Sequence, residues 1–401
     1  MKKEKLIEEI VLLENWITKN GWEGYDPYDI KDIKLVIWIT KLGNKNRLAE
    51  IFREGLFELF LMFPKFSRVL LRVKPQINAK AMGLFASSYL TLYETEKEEK
   101  YLEKSLECIK WLDANFSEKY SGKGWGYPFN WQAQKLIPKF TPNGIVTTAV
   151  GDAYWRFYQI TKEKKYLNTC IDICTFLSEG LLISNISEEE ICFSYTPIFT
   201  NYVHNLNLFV AEFLIKTGKE IGNQQWIKIG KKAANYTVAS QYTDGSFGYF
   251  GPQHKGRNLI DNYHTAFVLR MLYSIYNLTE DEKYLESLKK CYTHYLNNFF
   301  ENNTIPKFTP ERKYRIDIHS CAEAINCLSE LSSLFPEGLP IAQNIADWTF
   351  RNLLDESGFY YHGIFKSRII NTTFKSKISY IRWNQAWMFK GLTNLYKNLE
   401  C

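Results

Sequence analysis

Apolar residues return every three or four positions along residues 81–93, 145–160, 204–215, 264–276 and 319–331, a spacing that predicts helices. Each stretch is followed by polar residues, such as Glu94-Thr95-Glu96-Lys97 or Thr279-Glu280-Asp281, and then by a second periodic segment. Those second segments open at Tyr101-Leu102, Tyr166-Leu167, Trp226-Ile227, Tyr284-Leu285 and Leu339-Pro340-Ile341. The unit is a helix, a short turn and an antiparallel helix. The first segments carry Ala81, Gly83, Ala86, Ala149, Gly151, Ala153, Ala266, Ala322 and Ala324, while the second carry Lys and Glu along one side. The first set therefore packs inside and the second shows a face to water.

Asn78, Asn143, His204, His264, His319 and Asn384 stand at the heads of the inner segments and recur at intervals of roughly 55 to 65 residues. With 46–62 as the opening outer helix and 384–399 as the closing inner one, the pattern gives about twelve helices in six pairs. An even six closes into a double ring. The last inner helix, Arg382-Trp383-Asn384-Gln385-Ala386-Trp387, reads like its siblings and not like a polar cap. The expected fold is all-α, an (α/α)6 toroid in one domain over 1–401, since no Pro-, Ser- or charge-rich linker interrupts the repeat. Within 1–44 the pattern predicts a helix at 6–16 and a loop at 21–28, and assigns 33–42 no role.

The eight cysteines form no C-x-x-C pair and mostly sit on apolar helical faces, as buried reduced thiols would. Glu8, Glu9 and Glu14 interrupt the N-terminal apolar run, which argues against a secretory signal and for a cytoplasmic protein. Residues 56–73 are apolar but contain Pro64, Lys65, Arg68 and Arg72, too broken for a membrane span. The net charge of +6 is scattered among acidic residues, so no nucleic-acid stripe is present and a mild preference for an anionic ligand is the most it supports. No motif specifies an oligomeric state.

Longer connections, rich in glycine and aromatics, join each outer helix to the next inner one: 21–25, 124–132, 193–197, 244–250 and 357–361. Short turns would suffice for mere connectors. An aromatic face beside amide, phenol and imidazole groups suits a sugar ring, whose C–H face stacks while its hydroxyls hydrogen-bond. Plugging of the ring ends is the plain alternative for any one loop, but their repetition at the end that carries the polar helix heads favours a binding cleft. The expected ligand is a sugar or polysaccharide.

The chemistry should come from the helix heads. His204, His264 and His319 begin three different inner helices, and Asp261 and Asp317 are placed as N-caps that could also orient the neighbouring imidazoles. Converging histidines suit general acid–base work near neutral pH. They could also hold zinc, but no H-x-x-x-H or H-E-x-x-H pair occurs, so no metal and no other cofactor is expected. His254 and His294 are less informative, and His362 follows an aromatic loop that could bring it into the cleft.

With these residues in view, the chain resembles the six-hairpin (α/α)6 toroid enzymes of carbohydrate metabolism: N-acylglucosamine 2-epimerase-like proteins, unsaturated glucuronyl hydrolases and toroid domains of uronate-polysaccharide lyases. It is also similar to proteins of bacterial polysaccharide gene clusters, through blocks like 125–132, 261–265, 316–320 and 382–387. The epimerase likeness implies paired histidines that remove and return a proton beside a carbonyl, a role open to His204, His264 or His319. The lyase likeness implies Asn or His against a uronate carboxylate with His or Tyr as base and acid, types supplied by Asn205, His204, His264 and Tyr263. A hydrolase would need two carboxyl groups roughly 5 to 10 Å apart. Asp261 and Asp317 head that alternative, with Asp152 and Asp244 also available.

The resulting expectation is an epimerase- or lyase-type enzyme acting on a uronate or amino-sugar residue by His/Tyr proton transfer. His264 and His319 form the acid–base pair, with Tyr263, Asp261 and Asp317 in support. His204 and Asn205 hold an anionic or carbonyl group, and Arg382 pairs with a carboxylate in two-pronged fashion. Trp125, Tyr127, Trp131 and Trp383 stack on sugar rings, and Asn130, Gln132, Asn143, Tyr249, Tyr361 and Asn384 complete the binding set. Two rivals come from other classes. Terpene cyclases share the double ring, but no D-D-x-x-D or D-x-D-D run occurs here. A non-catalytic glycan-binding protein would keep the aromatic loops without needing convergent histidines.

Overall fold

A computed structural model describes residues 3–367 and 371–399. Its α-helices, in chain order, are α1 (Lys3–Asn20), α2 (Lys34–Gly43), α3 (Arg47–Met62), α4 (Pro64–Leu70), α5 (Ala79–Glu96), α6 (Glu99–Asp113), α7 (Gly144–Thr161), α8 (Lys164–Thr175), α9 (His204–Ile221), α10 (Gln224–Ala239), α11 (Asn262–Thr279), α12 (Glu282–Asn298), α13 (Ile318–Glu330), α14 (Gly338–Leu353) and α15 (Trp387–Asn398).

The odd-numbered helices from α5 to α15 form an inner ring in which each packs on the next and α15 returns to α5, while α6, α8, α10, α12 and α14 back their predecessors. Fourteen residues of α5 are buried against five of α6, which separates inner from outer as the small-residue pattern predicts. Close approach around the ring depends on those small residues. A Cβ at Gly83 would lie 2.7 Å from the Ala149 carbonyl on α7, and one at Gly391 would lie 2.6 Å from that of Ala322 on α13. The fold is the (α/α)6 toroid.

The outer tyrosines bury their rings toward the inner helices: Tyr101 stacks on Tyr89 and Tyr166 packs on Phe157, with centroids 6.3 and 5.0 Å apart. Four inner helices end on a left-handed residue, Lys97, Lys162, Gly222 or Glu280, whose N–H returns to the helix and turns the chain back.

One expectation is corrected. The sixth outer helix is α1, which buries Leu6, Ile10, Leu13 and Ile17 and packs on α15. The segment expected there, 46–62, forms α3, which has no buried residue and lies outside the ring together with α2 and α4. Residues 33–42, unassigned by the pattern, supply α2.

All the inner helices start at one end of the ring, where the long connections gather and add short antiparallel strands. Ile316–Asp317, Gly363–Lys366 and Thr373–Ser376 make a three-stranded sheet in which Asp317 pairs with Gly363, fixing the head of α13. Of the cysteines, Cys401 lies outside the described residues and the other seven are buried free thiols. Among the described residues, no helix is long and apolar enough to cross a membrane.

Candidate active site

The inner-helix heads and the loops above them enclose a cavity of about 290 Å³. Its floor comes from Lys80 on α5, Ile145 on α7, Asn205 on α9, Tyr263, His264 and Phe267 on α11, and His319 on α13. The π-helical turn Ile381–Ala386 adds Arg382 and Trp383, and the connections add Tyr28, Lys31, Tyr127, Phe129, Trp131, Gln132, Tyr195 and Tyr249.

Capping aims these side chains. Asp261 caps α11 by accepting the His264 N–H at 3.1 Å through Oδ1, and its Oδ2 lies 2.7 Å from His264 Nδ1. One carboxylate thus fixes both the helix start and the imidazole, leaving Nε2 as the nitrogen available to the cavity. Asp317 caps α13 through the His319 N–H and accepts a hydrogen bond from Trp383 Nε1 at 2.8 Å. That bond sets the indole against the His319 ring, with centroids 4.3 Å apart. His264 and His319 flank one phenol: their rings lie 4.3 and 4.7 Å from that of Tyr263.

His319 is buried, and neither of its ring nitrogens has a hydrogen-bond partner among the described residues. Burial, reinforced by the charges of Lys80 and Arg382, holds its pKa well below the ordinary histidine value, so the ring is a neutral imidazole. Asn205 Oδ1 and Gln132 Oε1 are likewise buried without a partner. A buried polar atom left unsatisfied costs about 1–3 kcal/mol, so several on one cavity mark where a polar ligand would compensate. Burial raises the tyrosine pKa values, Tyr28 to about 12 and Tyr263 well above 10, so these groups are hydrogen-bond donors and proton sources, not bases.

Charge in the cavity is one-sided. No carboxylate lines it among the described residues. Lys80 has no ion-pair partner there; its Nζ lies 5.0 Å from the Trp387 ring. Burial, aided by Arg382, lowers its pKa to about 7, and burial with Arg315 lowers that of Lys31 to about 8.

The remaining candidates divide by what they touch. Arg382 does make a two-pronged carboxylate pair, but with Asp26, through Nε at 2.5 Å and Nη2 at 2.8 Å. Burial opposes its charge, yet Asp26 overcomes this and holds the guanidinium above its ordinary pKa. His204 points away from the cavity, packing on Tyr236 and Phe247 with Nδ1 3.4 Å from Thr237 Oγ1 of α10, and burial lowers its pKa to about 4. Trp125 is a core residue whose indole donates to the Leu112 carbonyl. Asn130 binds Asp32, and Asn143 caps α7. Asn384 donates to the Tyr360 and Ile378 carbonyls, and Tyr361 bonds to Asp355. His362 is buried against Phe365 and Tyr380 and does not line the cavity.

Sequence reading missed Lys80, Lys31, Tyr28 and Phe267 as lining residues, and Asp26 as the anchor of Arg382, whereas Phe129 and Tyr195 came only as members of the loops expected at the cleft. A signal for Lys80 was present: it is the one cation in Asn78-Ala79-Lys80-Ala81-Met82-Gly83, a helix start otherwise suited to burial. Beside the cavity, sharing Trp131, Tyr195 and Tyr249, lies a groove of about 360 Å³ that also takes in His254 and Phe250.

No family model matches the chain, and no curated protein matches it. Solved structures do share its fold. An unsaturated glucuronyl hydrolase specific for heparin superposes with a TM-score of 0.58 at 14% identity, covering 80% of this chain and 87% of the other. A cellobiose 2-epimerase from Bacillus thermoamylovorans gives 0.62 at 12%, covering 81% and 88%. An α-mannanase of glycoside hydrolase family 76 from Bacteroides thetaiotaomicron gives 0.60 at 13%, also covering 81% and 88%. At these identities the likeness establishes the toroid and leaves the chemistry to the site.

Proposed function

We propose that this protein is a carbohydrate-active enzyme that removes a proton from the carbon beside the carboxylate of a uronate residue, with His319 and His264 as the acid–base pair. The observation that carries the reading is the placement of two imidazoles on either side of Tyr263, one held by Asp261 and one unpartnered, in an aromatic cavity with two lysines and, among the described residues, no lining carboxylate. Neighbours of this fold that act on sugars, a glucuronyl hydrolase and a sugar epimerase among them, support the substrate class.

The neutral His319 accepts the proton as the C–H bond breaks, and the electron pair moves toward the carboxylate to give an enediolate. Lys80 and Lys31 offset that added charge, and Tyr127, Trp131 and Trp383 face the sugar ring. Return of a proton from His264 to the opposite face gives the epimer. Departure of the neighbouring glycosidic oxygen, with a proton from the Tyr263 phenol, gives an unsaturated sugar. Hydrolysis by Asp261 and Asp317 is less well supported, since both are committed as helix caps and neither lines the cavity. A purely glycan-binding role would leave the matched imidazoles without work.

Incubation with uronate oligosaccharides in deuterated water tests this. Solvent deuterium at the carbon beside the carboxylate, or a new ultraviolet-absorbing double bond, is the expected outcome, lowered about 10²–10⁴-fold in His319→Ala and His264→Ala. New reducing ends with neither signal, or full activity in both variants, would overturn the proposal.

A further inference from the structure

Helices α2, α3 and α4 turn their apolar stripes outward. Leu35, Trp38 and Leu42 line one side of α2, Leu48, Ile51, Phe52 and Leu59 one side of α3, and Phe63, Phe66, Val69 and Leu70 mark the start and body of α4; all are exposed. Eleven of the nineteen large hydrophobic residues exposed among the described ones thus fall within 35–70, on three helices of which α2 packs on α3 and α3 on α4, so the exposed apolar surface is concentrated there and not scattered. Trp38 is 57% exposed, Phe66 66% and Leu48 78%.

Charge tells what would cover it. The expectation of a scattered net charge is corrected here: residues 34–74 contain nine Lys and Arg against three Glu, so this segment carries the whole excess of +6 and the rest of the chain is balanced. Arg68 is buried against Asp29 and Arg53 pairs with Glu50 and Glu54. Lys34, Lys41, Lys45, Arg47, Lys65, Arg72 and Lys74 are exposed around the stripes. Aromatic and aliphatic side chains set in a rim of cations suit the headgroup layer of an anionic bilayer, where the apolar face inserts and the cations meet lipid phosphates. A second copy of the chain suits the patch poorly, because a twofold interface would set the same seven cations against themselves.

We infer that α2–α4 form a peripheral membrane-binding surface that seats the toroid on anionic lipid, without spanning it. Lys31, on the cavity wall, also lies over Phe57 of α3, so the seated face adjoins the cavity.

Flotation of the full chain with vesicles tests the inference, using phosphatidylcholine alone and phosphatidylcholine mixed with phosphatidylglycerol. Binding to the mixed vesicles and not to the neutral ones is expected. Affinity should fall at least about tenfold in Trp38→Ser/Phe66→Ser, and again in Lys41→Glu/Lys45→Glu/Arg47→Glu, with far-ultraviolet circular dichroism unchanged. Failure to bind either vesicle, or binding that both variants leave intact, overturns it. So does a dimer in solution that Trp38→Ser/Phe66→Ser dissociates, which would assign the patch to a second copy.

Discussion

Two cavities follow one another along the axis of the inner ring, sharing Lys80 and Ile145, and they treat charge differently. The lower one, about 260 Å³, is lined by Asp152, Glu212, Lys216, Arg270, Glu330 and Lys390. Every one of these has a partner. Arg270 on α11 meets Glu323 and Glu330 of α13 at 2.8 and 2.6 Å, and Ser274 on α11 donates to Glu212 of α9. Asp152 on α7 meets Ser87 of α5 and Lys390 of α15. Burial works against that carboxylate's charge, but Lys390, Lys216 and Arg156 hold its pKa well below the usual range. The upper cavity, built on the heads of the same helices, leaves Lys80 without an ion pair and both His319 nitrogens, Asn205 Oδ1 and Gln132 Oε1 without a hydrogen-bond partner among the described residues. Paired charge ties the ring together below, while above the polar groups are left unpaired among the described residues.

Variants at the two levels should therefore fail in different ways. Arg270→Met strands the fully buried Glu323 and should lower the free energy of unfolding by about 3–5 kcal/mol, read by urea denaturation; a loss below about 1 kcal/mol would contradict the structural role of the lower belt. Lys80→Met should do the reverse. Folding gains or is unchanged, because an amine whose pKa drops from 10.5 to about 7 opposes folding wherever the unfolded chain is protonated. The proposed turnover of uronate should fall about 10²-fold, since the cation assigned to the developing charge would be gone. In the unsubstituted protein, the proposed activity should decline as pH rises through about 7, with loss of the ammonium.

Acid provides a third probe. The buried His204 and His362 have folded pKa values of about 4, below the 6.5 of a free imidazole, and His319 lies well below it too. A depressed pKa means that stability is fully present above 6.5 and is lost as pH falls toward the folded value. Each imidazole should remove about 1.4 kcal/mol per pH unit in that window. His204→Gln should flatten the melting-temperature profile between pH 6.5 and 4 without moving the activity profile. The mildest change is Trp131→Ala, on the wall between cavity and groove, which should cost about 1 kcal/mol in binding. It should raise KM for longer oligosaccharides more than for disaccharides; equal effects on both would restrict the site to one sugar.

Helical period, small residues and Tyr-Leu starts made five hairpins legible, because each hairpin is local in sequence. The sixth was not: α1 meets α15 across nearly the whole chain, and α3, with as good a helical pattern, has no fully buried residue. Pattern alone cannot say which apolar face finds a partner. At the site, His264, His319, Tyr263 and Trp383 were readable as a set of helix heads. His204 and Asn205 show why such reading stops short. One residue step turns a helix by about 100°, enough to send the histidine toward α10 and leave the amide in the cavity. Lys80 escaped because a lysine in sequence reads as surface, and only the closed ring reveals that its stem is enclosed.

The pairing of α1 with α15 also bears on how the molecule is made. The helix synthesised early holds Leu6, Ile10, Leu13 and Ile17 for a surface that leaves the ribosome more than three hundred residues later. Until then its apolar stripe and the flank of α5 have no mate, and a nascent chain stays an open arc. Closure therefore waits until α15 has been made, and a chaperone that shields α1 until then should raise the yield of finished rings.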